Sequence, residues 1–286
     1  MIPTLPIKIT KCRELTVELI LSLLADAYAN EAKLDKILDK LSEEVLNELV
    51  KELRKLEKKG KIDLSAKINL YNNPALYYEL KSIERKQLAR FVDYMWIASK
   101  VIGESMRDSY KRTTQTTYEI FGYPMTAAAP TVQITDTYIT EKVLNIPWCQ
   151  DGKTYSQRLY ANVANFQKKL EFVLDEGITK GKGMDWMMDS WRKLTHSAAY
   201  DSARLLKTET VAMWSLATKE SYLTMGIEYV EIVGDAECGG ICVDYVGEPI
   251  PLREAELGDD LPPYHPNCAC SYIAYIEEVP LDEEEI

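Results

Sequence analysis

The chain has 286 residues, 46% of them hydrophobic, which is enough for one large or two ordinary domains with a substantial core. A net charge of −11 excludes a protein that coats nucleic acid over its whole surface. That charge is uneven: residues 1–112 carry 21 Lys and Arg against 17 Asp and Glu, which leaves −15 for the rest.

The longest early apolar run, Leu19 to Leu24, is short and closely bracketed by Glu18 and Asp26. It fits neither an export signal nor a bilayer span, so no export and no membrane anchoring are expected. From Leu15 to Leu56 apolar residues recur at helical spacing, among them Leu34, Leu38, Leu41, Val45, Leu49, Leu53 and Leu56, and Gly60 is a natural stop. Asn73 and Pro74 have the chemistry of a helix start. A second long helix then runs toward Phe121 with Leu80, Leu88, Phe91, Met95, Ala98, Ile102 and Met106 on one side, and Gly122 and Pro124 end it. Residues 1–122 therefore read as a long helical hairpin or small bundle, a docking domain.

The Pro, Ala and Thr rich stretch at 123–138 reads as a linker. Helical patterns resume around Ser156 to Leu174, around Met184 to Leu194, and over Ala198 to Met225, the last closed by Gly226. Trp148, Trp186, Trp191 and Trp214 are expected as core anchors. "GITKGKG" at 177–183 lacks a terminal Lys-Ser/Thr pair and a preceding strand, so it is a turn between helices rather than a phosphate loop. His196 reads as a capping or packing residue near a helix start. Arg204 and Glu209, five apart on different helix faces, read as surface or interface salt-bridge partners.

Beyond Gly226 the period changes to two. "IEYVEIVG", "GEPIPL" and "CSYIAYIE" are three candidate strands. The predicted fold class is α+β: amino-terminal helices, then a helical region closing on a small antiparallel sheet with Cys and His in the connections. The tail at 278–286 is acidic and solvated.

Four of the six cysteines and one of two histidines fall within "CGGIC" at 238–242 and "HPNCAC" at 265–270. Cys238, Cys242, His265, Cys268 and Cys270 are five candidate donors for a tetrahedral ion, and thiolate with imidazole is the donor set zinc prefers. Gly239 and Gly240 allow the first pair to face one point, and a 22-residue gap separates the clusters. Cys238, Cys242, His265 and Cys268 are the preferred four. The competing reading is a packed corner without metal, since free Cys behaves as a small buried hydrophobe and His-Pro-Asn makes a turn. A disulfide fits a reducing compartment poorly. A Cys268 nucleophile with His265 as base lacks a recognisable oxyanion hole.

The order "IPWCQDGKTYSQRL", "GITKGKGMDWM", "SARLLKTETVAMW", "VGDAECGGICVDYVGEPIPL", "LPPYHPNCAC" resembles the phage head morphogenesis family, the minor capsid proteins similar to the phage Mu F protein. The likeness covers roughly residues 135–277, with the head morphogenesis domain at 139–277. Two positions depart from the family pattern: Ala269 stands where Arg is usual between the last two cysteines, and Lys207-Thr208-Glu209 stands for Arg-Thr-Glu. Some relatives carry a toxin domain after the last motif; this chain continues about sixteen residues beyond it, and no such domain is expected.

The resemblance implies a low-copy virion component of a tailed-phage head, near the portal vertex, acting in head assembly or DNA packaging and delivery, with no catalytic residue. Its implied partners are the portal protein and other head proteins, with local contact to packaged DNA through the amino-terminal half, and host cytoplasm as the place of assembly. The alternative is an enzyme: a zinc-dependent hydrolase, with Asp244 or Glu237 as local carboxylate, or a nucleotide-handling transferase related to the toxin-bearing relatives.

Overall fold

A computed structural model describes residues 9–58, 74–123, 136–139, 144–149, 151–180, 182–234, 242 and 245–275. Four long helices, a single helical turn and a three-stranded sheet make up these residues, and the fold is α+β as the sequence predicts. The helices are α1 (Ile9–Lys58), α2 (Pro74–Ile120), the turn α3 (Asp136–Tyr138), α4 (Tyr155–Thr179) and α5 (Gly183–Met225). No helix among the described residues is long and apolar enough to cross a membrane.

The helix bounds follow from local chemistry. α1 runs for 50 residues without glycine or proline, rich in Leu, Glu and Lys, the strong helix formers. Pro74 opens α2 where its missing N–H costs nothing. α5 ends at Gly226, whose φ of 80° suits only a residue without a Cβ; Gly226 N–H bonds Leu223 O and Ile227 N–H bonds Tyr222 O, closing the last turn with two of its orphan carbonyls satisfied. Gly122 closes α2 in the same way.

One expected break is missing. The sequence suggests separate helices over 184–194 and 198–225, yet α5 is continuous from Gly183 to Met225. Thr195, at the expected break, sends its hydroxyl back to the carbonyl of Trp191 at 3.1 Å, a bond available inside a helix. His196 is therefore an exposed mid-helix residue, neither a cap nor a packing residue. The "GITKGKG" stretch does join two helices, and Lys180 and Lys182 both pair with Glu176 there.

The chain forms two compact units built from interleaved segments: residues 1–28, 104–154 and 207–286 in the first, residues 29–103 and 155–206 in the second. Segments from both sides of 123–138 contribute to each unit. Charge follows the units more sharply than it follows the chain: the second has 23 Lys and Arg against 18 Asp and Glu, the first 11 against 27.

The second unit is helical. Leu34, Leu38, Val45, Leu49 and Leu53 of α1, Phe91, Met95 and Ala98 of α2, Leu170 of α4 and Leu194 of α5 are all buried, as the helical periodicity predicts for those it identified. Phe166 joins three of the helices: it stacks on Phe91 and meets Trp191 edge to face, and Trp191 donates its indole N–H to the carbonyl of Ser42.

The first unit contains the sheet, in the order β2 (Pro249–Pro251), β1 (Tyr229–Val233), β3 (Ser271–Ala274), with both pairings antiparallel. The three strands lie inside the three stretches where the sequence period is two. Val230 and Ile232 point into the core while Tyr229, Glu231 and Val233 turn outward, the alternation a half-buried strand requires. Proline at both ends of β2 confines it to the sheet edge, where an unpaired N–H is not missed. The core beneath joins Leu19 and Leu23 of α1, Phe121, Val211, Trp214 and Tyr222, the strands, and Cys242, Cys268 and Cys270. Of the four tryptophans expected as anchors, Trp191 and Trp214 are buried, whereas Trp148 and Trp186 are half-buried.

Candidate metal centre

The sheet brings the two cysteine segments together. Cys270 immediately precedes β3, and the loop ahead of it carries His265 and Cys268; Cys242 lies between β1 and β2. Because β1 is the middle strand, both connections open beside it. The sulfurs of Cys242, Cys268 and Cys270 lie within 4.8 Å of one another, and all three residues are buried. Cys242 Sγ is 3.8 Å from Cys268 Sγ and 3.2 Å from His265 Nε2. Cys238, Glu237 and Asp244 lie outside the described residues.

The loop geometry is written in its sequence. Cys268 N–H bonds His265 O at 3.1 Å, closing a turn whose central residues are Pro266 and Asn267. Asn267 has φ of 66°, and proline followed by a left-handed residue is the pattern of a type II turn, where Asn is tolerated in place of Gly. The ring Nδ1 of His265 lies 2.8 Å from Pro266 O. A carbonyl only accepts, so Nδ1 carries the proton and Nε2 presents its lone pair toward Cys242, the arrangement a metal-binding imidazole needs.

One face of α5 supports this loop. Thr208 Oγ1 accepts the Asn267 N–H at 3.0 Å, Ser215 Oγ donates to Pro262 O at 2.6 Å, and Lys219 Nζ donates to Ala255 O. Positions 208, 215 and 219 share one helical face, so a single helix holds the loop along its length. Tyr272 returns the favour from β3, donating its hydroxyl to Ser215 O. Tyr245 and Tyr264 stack with centroids 5.0 Å apart, and Tyr264 donates to Asp260 O. Burial, then the neighbouring Cys268 and Cys242, push the Tyr264 phenol up. It stays a neutral donor.

Electrostatics within the cluster favour negative charge on Cys268. The Cys270 thiol donating to it is the largest influence holding the Cys268 thiol below the ordinary cysteine range; burial opposes, and main-chain hydrogen bonds at Tyr264 and Cys270 add to the lowering. Cys270, as the donor, is pushed the other way. A buried group of three sulfurs, one of them held below the ordinary thiol range, suits a cation. The cluster could hold a metal ion.

The other described cysteines, Cys12 and Cys149, stay apart from this group. Cys12 is buried with its thiol toward Ile120 O, and Cys149 is half-buried; no disulfide links any described cysteine. The reading of Glu209 as a surface salt-bridge residue is overturned: it is 1% exposed and accepts the indole N–H of Trp148 at 2.8 Å. Arg204 makes the expected surface salt bridge, with Asp201. Two contributors escaped sequence reading altogether, Thr208 and Gly234, which backs Cys270. Thr208 was visible only as the middle of Lys-Thr-Glu, and nothing local ties it to a loop 59 residues away.

Compared with known proteins, the chain matches no family model, no curated protein and no solved structure.

Proposed function

We propose that the chain is a non-catalytic assembly protein whose sheet-bearing unit is locked by one structural zinc, held by Cys242, His265, Cys268 and Cys270. The observation that carries this is the buried group of three sulfurs with an imidazole lone pair facing it. Thiolates about 2.3 Å from a tetrahedral ion stand roughly 3.8 Å apart, and Cys242 and Cys268 have that separation. Three sulfurs and one nitrogen complete a tetrahedron, leaving no position for a reacting water, which favours a structural ion over a hydrolytic one.

The setting of that module is a minor capsid protein of a tailed-phage head, near the portal vertex, acting in head assembly or DNA packaging and delivery. This rests on the order of the motifs in residues 135–277, above all the closing His-Pro-Asn-Cys-Ala-Cys. Long amphipathic helices suit docking onto helices of a portal ring and other head proteins. The positive charge gathered in residues 29–103 and 155–206 suits local contact with packaged DNA.

Two measurements test the two parts. Protein purified without chelator should carry about one zinc per chain by elemental analysis; a folded, metal-free protein would defeat the zinc reading. Co-expression with portal and scaffold proteins should yield heads containing the chain in low copy, and its absence from purified heads would defeat the capsid role.

A further inference from the structure

We propose that Thr208 is a positioning residue for the metal, setting the His265–Cys268 turn through the main-chain N–H of Asn267; this rests on the zinc reading above. Asn267 lies between two of the four ligands in sequence, at the turn position with φ of 66°. In such a turn one N–H, that of Cys268, is used internally, by His265 O. The Asn267 N–H points outward, and Thr208 Oγ1 takes it at 3.0 Å.

The hydroxyl does more than fill space. Thr208 is itself buried, so its oxygen fixes both the height and the rotation of the turn against a rigid helix. His265 and Cys268 flank the bonded peptide, so a shift of the turn moves both ligands. Ser215 and Pro262 anchor the same loop seven residues along α5, farther from the ligands in sequence than the Thr208 bond. Outer contacts of this kind act by orienting the ligands, so their loss shows first in metal affinity and ligand geometry.

The test uses the full chain, stripped of metal and titrated with Co2+ and then with Zn2+ against a chromophoric chelator. Variants are Thr208→Val, which keeps shape and removes the acceptor, Thr208→Ala, which also removes the methyl, and Thr208→Ser, which keeps the oxygen. Thr208→Val and Thr208→Ala are expected to weaken zinc binding about 10-fold and to shift the Co2+ d–d absorption bands, while Thr208→Ser restores both. Thermal unfolding of the metal-free forms supplies the control, and the three variants should differ little there. Wild-type spectrum and affinity in Thr208→Val would overturn the inference while leaving the zinc reading in place, as would a Thr208→Ser protein no better than Thr208→Val. A wild-type chain that binds neither ion overturns the zinc reading, and this inference with it.

Discussion

Gly234 lies directly behind Cys270: a Cβ placed on it would stand 2.6 Å from Cys270 Sγ and 3.3 Å from Cys270 Cα. The glycine directly follows β1, and Cys270 immediately precedes β3. The sheet thus admits the sulfur only because this position has no side chain. Gly234→Ala should push Cys270 out of line, lower stability by about 1–3 kcal/mol, and reduce bound zinc. Denaturant unfolding with elemental analysis checks both, and an alanine variant with full metal content would show that the sulfur has room to move.

Removal of single ligands should reach folding before anything else. Cys268→Ser and Cys242→Ser each take a thiolate from a buried site, and a structural zinc site that loses a ligand loses much of the binding energy that supports its fold. Both variants are expected to carry well under one zinc and to unfold at lower temperature, and chelation of the wild type should lower its midpoint toward theirs. Equal midpoints for wild type with and without chelator would contradict this.

Glu220 offers a separate test within the same unit. Tyr110 and Tyr138 hydrogen-bond its carboxylate, and Lys219 is the charged neighbour that favours ionisation, yet burial dominates and raises its pKa. A carboxyl raised in the fold contributes stability that is complete below the ordinary carboxylate range and is lost as pH rises through the raised value. Glu220→Gln keeps an oxygen to accept from Tyr110 and removes that loss. Its melting temperature should exceed wild type at pH 7, and the gap should close as pH falls below about 4. Thermal melts from pH 4 to pH 8 decide it; a gap independent of pH would sink the assignment.

Glu209 and Trp148 should behave as a coupled pair. The indole donates to an oxygen of a side chain that is 1% exposed, and leaving a buried donor unsatisfied costs about 1–3 kcal/mol, so Glu209→Ala should cost about that much. A double-mutant cycle with Trp148→Phe should give a coupling of at least about 1 kcal/mol. Additive losses would mean that Glu209 stabilises the unit through other neighbours.

The sequence alone determined the elements that obey a local rule. Two long helices, the glycine that ends α5, and three strands beyond it were legible because their periods and caps are set by near neighbours. The identity of the candidate ligands was legible too, since thiols and imidazole are rare in this chain and gathered in two short stretches. The tertiary structure decided the rest. It placed Cys270 with Cys242 and Cys268, because strand order puts β1 between β2 and β3 and so brings two distant loops to one corner. It carried α5 through Thr195 and His196, where the Thr195 hydroxyl found a carbonyl inside the helix. It buried Glu209 against Trp148 and set Thr208 under Asn267. Such pairings depend on long-range closure across tens of residues, and no spacing within a single segment encodes them.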